Sequence, residues 1–362
     1  MPEPAPDPRS PQSRFAGAPQ ALARFAVTAG VAVLGGYLFS LADVPLAWMI
    51  GALVCSAVLS WVFPVAMPKR ARSYALIVLG ASFGTGITPD VIAQVAARLP
   101  WMVLASLITL IAGVLLTRPM AAMGRLDPKT AFFCAVPGGV TVMPVLAEAA
   151  GADTRPVTLS QTVRMVLVVL LVPSAVIALG HGAEAEIFHA TALPIRPLAL
   201  ALFLAAAFAA AYLMKLTGTA NPWILGPLLL SIVVTSTSGA PSGFPPWLIN
   251  LAQVAMGAGL GIKLNRTFVL GATRLLVVSA ASTLVLGVGL AAMSAVLARF
   301  SGLSLNAVLL GMAPGGTPEM VVTAAALNVA VPMVLGFHLV RMLASNLLIA
   351  PIWRVIKRRI AA

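Results

Sequence analysis

The chain has 362 residues, 60% of them hydrophobic and 9% charged, with a mean hydropathy of +1.01. A soluble core cannot hide that much apolar surface, so composition excludes a water-soluble globular protein and points to an integral membrane protein. The net charge of +13 does not bring in nucleic acid as a direct partner, because the basic residues stand singly or in short clusters between apolar runs, where the positive-inside bias puts them.

In chain order, residues 1–20 carry Pro2, Pro4, Pro6, Pro8, Pro11 and Pro19 among polar groups, a composition that predicts a disordered cytoplasmic tail. Arg9, Arg14 and Arg24 precede the apolar run Phe25 to Leu41, which leads straight into further hydrophobic segments and so reads as an uncleaved first helix. At about 20 apolar residues per crossing, a first membrane repeat (22–180) offers runs at 22–41, 45–65, 73–92, 99–118, 130–150 and 157–180. A second repeat (196–356) offers runs at 197–214, 222–238, 246–264, 275–298, 305–327 and 332–353. Between them, residues 181–195 read as an external hinge, and residues 357–362 as a basic cytoplasmic end.

Loop charges test how many runs cross. Lys69, Arg70 and Arg72, then Arg118, Arg125 and Lys129, mark two cytoplasmic loops, whereas the hinge from His181 has no Lys or Arg before Arg196. An odd number of crossings must separate Lys129 from His181, yet two apolar runs lie there, so the one interrupted at Pro137 fails to cross. The same count in the second repeat puts Lys215, Lys263, Arg266 and Arg274 inside and leaves only Arg196 and Arg299 misplaced. The expectation is an all-α polytopic protein of about ten transmembrane helices plus two interrupted segments, in tandem inverted repeats with both termini cytoplasmic. The alternative is that both interrupted runs cross, giving twelve spans and parallel repeats.

The repeats rest on matched phrases. Ala135-Val136-Pro137-Gly138-Gly139 returns as Met312-Ala313-Pro314-Gly315-Gly316, 177 positions on. Val163-Arg164-Met165 returns at the same offset as Val340-Arg341-Met342, and Gly80 to Gly84 as Gly257 to Gly261. Trp48-Met49-Ile50-Gly51 meets Trp223-Ile224-Leu225-Gly226 at an offset of 175.

The candidate binding chemistry lies at the two Pro-Gly-Gly breaks. Proline removes a backbone donor and two glycines let the chain leave helical dihedrals, so the helix stops inside the membrane. The stranded backbone groups of Pro137, Gly138, Gly139, Pro314, Gly315 and Gly316 must then be buried in protein or line a polar cavity. Half-helix N-termini at such a break suit an anion or a carboxylate. A kink that merely permits close packing is the other reading; two copies at matching positions favour a transporter's substrate site.

Arg164 and Arg341 lie about eight residues, or roughly 12 Å, inside the last run of each repeat. They are either snorkelling anchors or substrate ligands. Gln161 and His338 are counterparts three residues earlier, forming with the arginines a polar stripe directed at the opposite repeat's interrupted loop. Gln161 thus joins the candidate substrate ligands, and His338 is a candidate proton site. Glu319, whose counterpart is Val142, either binds a coupling proton or cation or neutralises Arg341 or Arg164. Cys55 and Cys134 lack metal or disulfide spacing and read as small buried hydrophobes.

The duplicated Pro-Gly-Gly phrases with the two Val-Arg-Met triplets resemble the Gram-negative membrane AbrB-duplication family over residues 22–355. That resemblance implies labels such as "AbrB family transcriptional regulator" and "ammonia monooxygenase", and regulation of gene expression in an enteric member. It also implies a distant similarity to the cation/proton antiporter and anion transporter group, at the level of fold analogy. The residues speak against oxygenase chemistry, since a copper or iron centre needs clustered ligands and the chain has three histidines, His181, His189 and His338. No soluble stretch is long enough for a DNA-binding domain. Two functions remain: a secondary transporter of a small anionic solute in the bacterial inner membrane, or a non-transporting sensor that regulates expression indirectly. Neither calls for catalytic residues, a cofactor or a metal; the partners are the bilayer, a small solute and a second copy in a homo-oligomer.

Overall fold

The computed structural model describes residues 18–68, 70–140, 142–179, 193–219 and 221–361, with side chains from 20 to 356. The Pro-rich tail before residue 18, the hinge at 181–192, and the side chains of Lys357, Arg358 and Arg359 lie outside the described residues.

Every regular element among the described residues is helical. In chain order these are α1 (Ala18–Leu41), α2 (Ala47–Val62), α3 (Ala71–Gly84), α4 (Pro89–Ala97), α5 (Leu99–Leu115) and α6 (Thr117–Gly124). There follow α7 (Pro128–Ala135), α8 (Val142–Ala149), α9 (Thr154–Leu179), α10 (Pro197–Leu216), α11 (Pro222–Ser238) and α12 (Pro246–Gly261). The chain closes with α13 (Arg266–Gly271), α14 (Thr273–Ser301), α15 (Leu305–Met312), α16 (Thr317–Ala326) and α17 (Val331–Ala361). Among the described residues, seven spans are long and apolar enough to cross a membrane: α1, α5 with α6, α9, α10, α12 with the turn after it, α14 and α17. The run expected as one segment at 73–92 is instead α3 and α4, bent by 94°, and counts as an eighth span if the pair crosses as one. Gly84, Gly86 and Pro89 supply the bend: glycines leave the helix freely, and Pro89 opens α4, where its missing N–H costs nothing. The expected ten crossings need that pair and the shorter apolar helices α2 and α11 to cross too.

The chain divides into two compact units. The first holds Met1–Ala75 and Asn250–Phe268. In it α1 and α2 form a hairpin so close that a Cβ on Gly51 would collide with the carbonyl oxygen of Gly35, and Gly257 of α12 meets the carbonyl oxygen of Met49 in the same way. Ala32, Ala52, Val254 and Ala258 fill the seam. Small residues serve here because lipid gives apolar side chains no reason to prefer each other, and backbone proximity replaces the hydrophobic drive.

The second unit holds Leu76–Ile249 and Val269–Ala362. Its glycine contacts repeat those of the first at the offsets seen in sequence: Gly226 meets Ala210 as Gly51 meets Gly35, and Gly80 meets Ile224 as Gly257 meets Met49. Its core joins Met102 and Ala105 of α5, Leu286 and Leu290 of α14, Val308 and Met312 of α15, and Met333 and Phe337 of α17. Phe132 and Phe133 of α7 pack on Trp353 of α17, with ring centroids 5.2 and 6.1 Å away.

Matched positions share backbone geometry as well. Left-handed residues Asp43, Leu46, Arg125 and Gly151 (φ 50°, 55°, 53° and 72°) have counterparts in Gly218, Asn221, Gly302 and Asn328 (φ 69°, 58°, 66° and 53°). A left-handed leucine is uncommon, and the same conformation at its counterpart Asn221 reflects a shared local fold. Outward-facing Leu216 (82% exposed) and Val288 and Phe300 (both 72%) would be a liability in water and suit hydrocarbon.

Candidate functional site

The first break is built from α7 outward. Asp127 caps α7 by accepting from the N–H groups of Lys129 and Thr130, both at 3.0 Å. The helix ends eight residues later at Ala135, where Val136 turns extended and donates to the carbonyl of Phe132 at 3.0 Å. This leaves the carbonyls of Phe133, Cys134, Ala135 and Val136 without intrahelical donors, an expensive state away from water. Side chains of α9 meet all four. Gln161 Nε2 donates to Phe133 O at 2.9 Å and to Val136 O at 3.1 Å, and Ser160 Oγ donates to Cys134 O at 3.1 Å. Arg164 donates through Nη1 to Ala135 O at 3.2 Å and through Nη2 to Val136 O at 3.4 Å, and Nη2 also bonds Gln161 Oε1. A cation at this end also meets the negative pole of the α7 dipole.

The second break repeats the scheme. Helix α15 ends at Met312, and Ala313 N–H bonds Leu309 O at 2.9 Å. His338 Nε2 lies 3.0 Å from Leu310 O; Arg341 Nη1 donates to Ala313 O at 2.5 Å and Nη2 to Gly315 O at 2.7 Å. Arg341 Nη2 also lies 2.7 Å from His338 Nδ1. Phe133 and Leu310, like Val136 and Ala313, are 177 positions apart, so matching side chains hold matching carbonyls. One bond is replaced by packing: where Ser160 reaches Cys134 O, its counterpart Phe337 lays its ring 2.6 Å from where a Cβ of Gly311 would stand. Ser160 was missed in sequence; its only signal was this paired change, serine over cysteine against phenylalanine over glycine.

The orientation expected for the polar stripes is overturned. Each stripe bonds the break of its own half, because the nearest unmet carbonyls belong to the helix that has just ended there. Glycines of each break meet apolar side chains of the other half. The Cβ positions of Gly315 and Gly316 are 2.8 and 3.0 Å from Val168 and Met165 of α9, and that of Gly138 is 3.1 Å from Ile349 of α17. Pro137 packs its Cδ 2.5 Å from a Cβ position on Gly113 of α5, and Pro314 is buried. Helices α9 and α17 begin at Thr154 and Val331, so both arginines lie ten residues in, slightly deeper than expected.

The two breaks differ in backbone as well. Gly139 adopts φ +94° with open space around its Cβ position, whereas Gly316 has φ −75° and faces the Glu319 carboxylate. Glu319 is fully buried in the first turn of α16, where the helix dipole favours an anion. Among the described residues the buried charges are Arg164, Arg341 and Glu319, and the two guanidinium groups lie within electrostatic reach of each other. Each guanidinium has five N–H donors, and three hydrogen bonds from each to the protein are seen among the described residues. The arrangement offers charge and hydrogen-bond donors at two backbone discontinuities.

Residues 48–357 match the sequence model of the family described as "Transition state regulatory protein AbrB". The chain is 26% identical over 356 residues to "Uncharacterized protein YhjN" of Bacillus subtilis (strain 168), covering 90% of this chain and 91% of the relative. It is 26% identical over 319 residues to "Putative regulator AbrB" of Escherichia coli (strain K12), covering 86% and 90%. No solved structure gives a significant match. The family match takes in both Pro-Gly-Gly breaks and both buried arginines, and on that extent the chain belongs to the AbrB family.

Proposed function

We propose that the protein is a secondary transporter of a small organic anion, seated in the bacterial inner membrane with both termini cytoplasmic. One observation carries this reading: two buried guanidinium groups, from matching positions, against one buried carboxylate among the described residues. Burying two like charges within reach of each other is costly, and an anion between them would relieve the repulsion. In this reading Pro137, Gly138 and Gly139 frame one side of the site and Pro314, Gly315 and Gly316 the other. Arg164 and Arg341 hold the anion with the donors that the carbonyls leave over, and Glu319 carries the coupling proton. No chemical conversion is proposed. Inverted repeats with broken helices would let one half move against the other around the site, as in the antiporter group that the sequence resembles.

The second reading, a membrane sensor that regulates expression through a partner, is favoured by the names that the family and the Escherichia coli relative carry. Flux through purified protein in proteoliposomes separates the two. The probes are acetate, pyruvate, succinate, phosphate and methylammonium, read with an internal pH dye, for the parent and for Arg341→Ala and Glu319→Gln. Proton-linked movement of an anion that both variants abolish supports transport. If no probe moves while one of them still raises thermal stability, the sensor reading replaces it.

A further inference from the structure

We infer that His338 is the second half's Gln161, a neutral donor–acceptor bridge that presents Arg341, and that it carries no coupling proton. The two residues occupy one position of the duplication and are each 1% exposed. Gln161 donates from Nε2 to Phe133 O at 2.9 Å and accepts from Arg164 on Oε1. His338 makes the same pair of bonds: Nε2 to Leu310 O at 3.0 Å, and Nδ1 to Arg341 Nη2 at 2.7 Å.

The partners fix the direction of both histidine bonds. A carbonyl only accepts, so Nε2 carries the hydrogen; a guanidinium only donates, so Nδ1 offers its lone pair. The ring is thereby held as the neutral Nε2–H tautomer from both sides. A proton on Nδ1 would turn an acceptor into a donor facing a donor and set two cations at hydrogen-bond distance. Gln161 does the same work with an amide that cannot take up a proton near neutral pH, so what the fold requires at this position is a donor and an acceptor a fixed distance apart. The other buried charges among the described residues are Arg341 on the same helix, Glu319 on α16 and Arg164 on α9, and of these only Glu319 can release a proton as an acid. His338 is accordingly a positioning residue.

Two experiments test this, and only the second rests on the transport reading. In a His181→Asn, His189→Asn background His338 is the one histidine, and nitrogen-15 NMR of the labelled protein at neutral pH reads its tautomer. A single Nε2–H tautomer is expected; an Nδ1–H ring, or the averaged signals of a freely exchanging imidazole, would overturn the assignment. Second, His338→Gln is compared with His338→Ala for unfolding temperature and for the pH profile of anion flux. The glutamine variant should restore what alanine loses, to within about 2 °C of the parent, and keep the parental pH profile. A folded His338→Gln protein whose flux no longer responds to pH would make His338 the proton carrier. If no probe anion moves at all, transport fails while the tautomer and unfolding results still decide the role of His338.

Discussion

Removing Arg341 separates a guanidinium that braces the protein from one that only waits for a ligand. Arg341→Ala leaves Ala313 O, Gly315 O and His338 Nδ1 without their donor. A buried acceptor left unmet costs about 1–3 kcal/mol, so Ala313 O and His338 Nδ1 amount to roughly 2–6 kcal/mol before any relaxation, with less from the part-buried Gly315 O. Deleting the charge recovers part of its desolvation, and water reaching the break recovers more, which leaves an expected net loss of about 3 kcal/mol. In chains of 150–250 residues each kcal/mol moves the midpoint by about 2–4 °C, and in a longer chain by less, so a fall of about 5 °C is expected. Cys134, 1% exposed on α7, supplies the readout: in a Cys55→Ser background, its reaction with a thiol-sensitive dye on heating reports the opening of the bundle. Arg341→Lys should fall between parent and alanine, because an ammonium is a compact point charge and cannot span both carbonyls as a planar fork does. A midpoint for Arg341→Ala within about 1 °C of the parent would refute the bracing role.

Three further outcomes follow from the same geometry. Ser160→Ala removes the donor to Cys134 O and should destabilise the protein by about 1–3 kcal/mol, whereas replacing its counterpart Phe337 by leucine should cost packing alone; both are read by the Cys134 dye assay. Asp127→Ala should cost about 1 kcal/mol through loss of the cap on α7. Burial pushes the Asp127 carboxyl up, but bonds from the Thr130 hydroxyl and the Thr130 and Lys129 N–H groups, with the Lys129 charge, outweigh it and hold the carboxyl below its usual range. The folded state therefore favours the charged form, so the cap is fully present at neutral pH and fades as pH falls through the lowered value; the parent–variant gap in midpoint should shrink correspondingly in acid. Finally, cysteines at Gly151 and Asn328, paired left-handed positions, should label from opposite sides of the membrane if the repeats are inverted and from the same side if they are parallel, in an impermeant-reagent assay.

The breaks and the buried arginines were legible in sequence because they depend on residue type: Pro-Gly-Gly and a deep arginine are rare in apolar runs, and each occurs twice at one spacing. What the arginines touch was not legible, since every residue has a carbonyl and the acceptor side of such a bond leaves no trace in sequence. That is why the stripes were expected to face the opposite half, when the ends of α7 and α15 stood nearer. The 94° bend was hidden for a related reason: hydropathy sums through Gly84, Gly86 and Pro89 as though the segment were straight. The contrast between Gly139 and Gly316 lies beyond any reading of residue type, because the same amino acid adopts φ +94° in one break and −75° in the other.

In the proposed site, two guanidinium groups share their donors between broken-helix carbonyls and an anion. The most direct measurement is the unfolding midpoint of the purified protein with acetate, pyruvate, succinate, phosphate, sulfate or methylammonium at one fixed ionic strength, so that screening is held constant. Parent, Arg164→Gln and Arg341→Gln proteins are compared, each against its own ligand-free midpoint. At least one anion should raise the parent's midpoint, methylammonium should not, and either substitution should remove the rise. No stabilisation by any anion, or a rise that survives both substitutions, would contradict the proposed site.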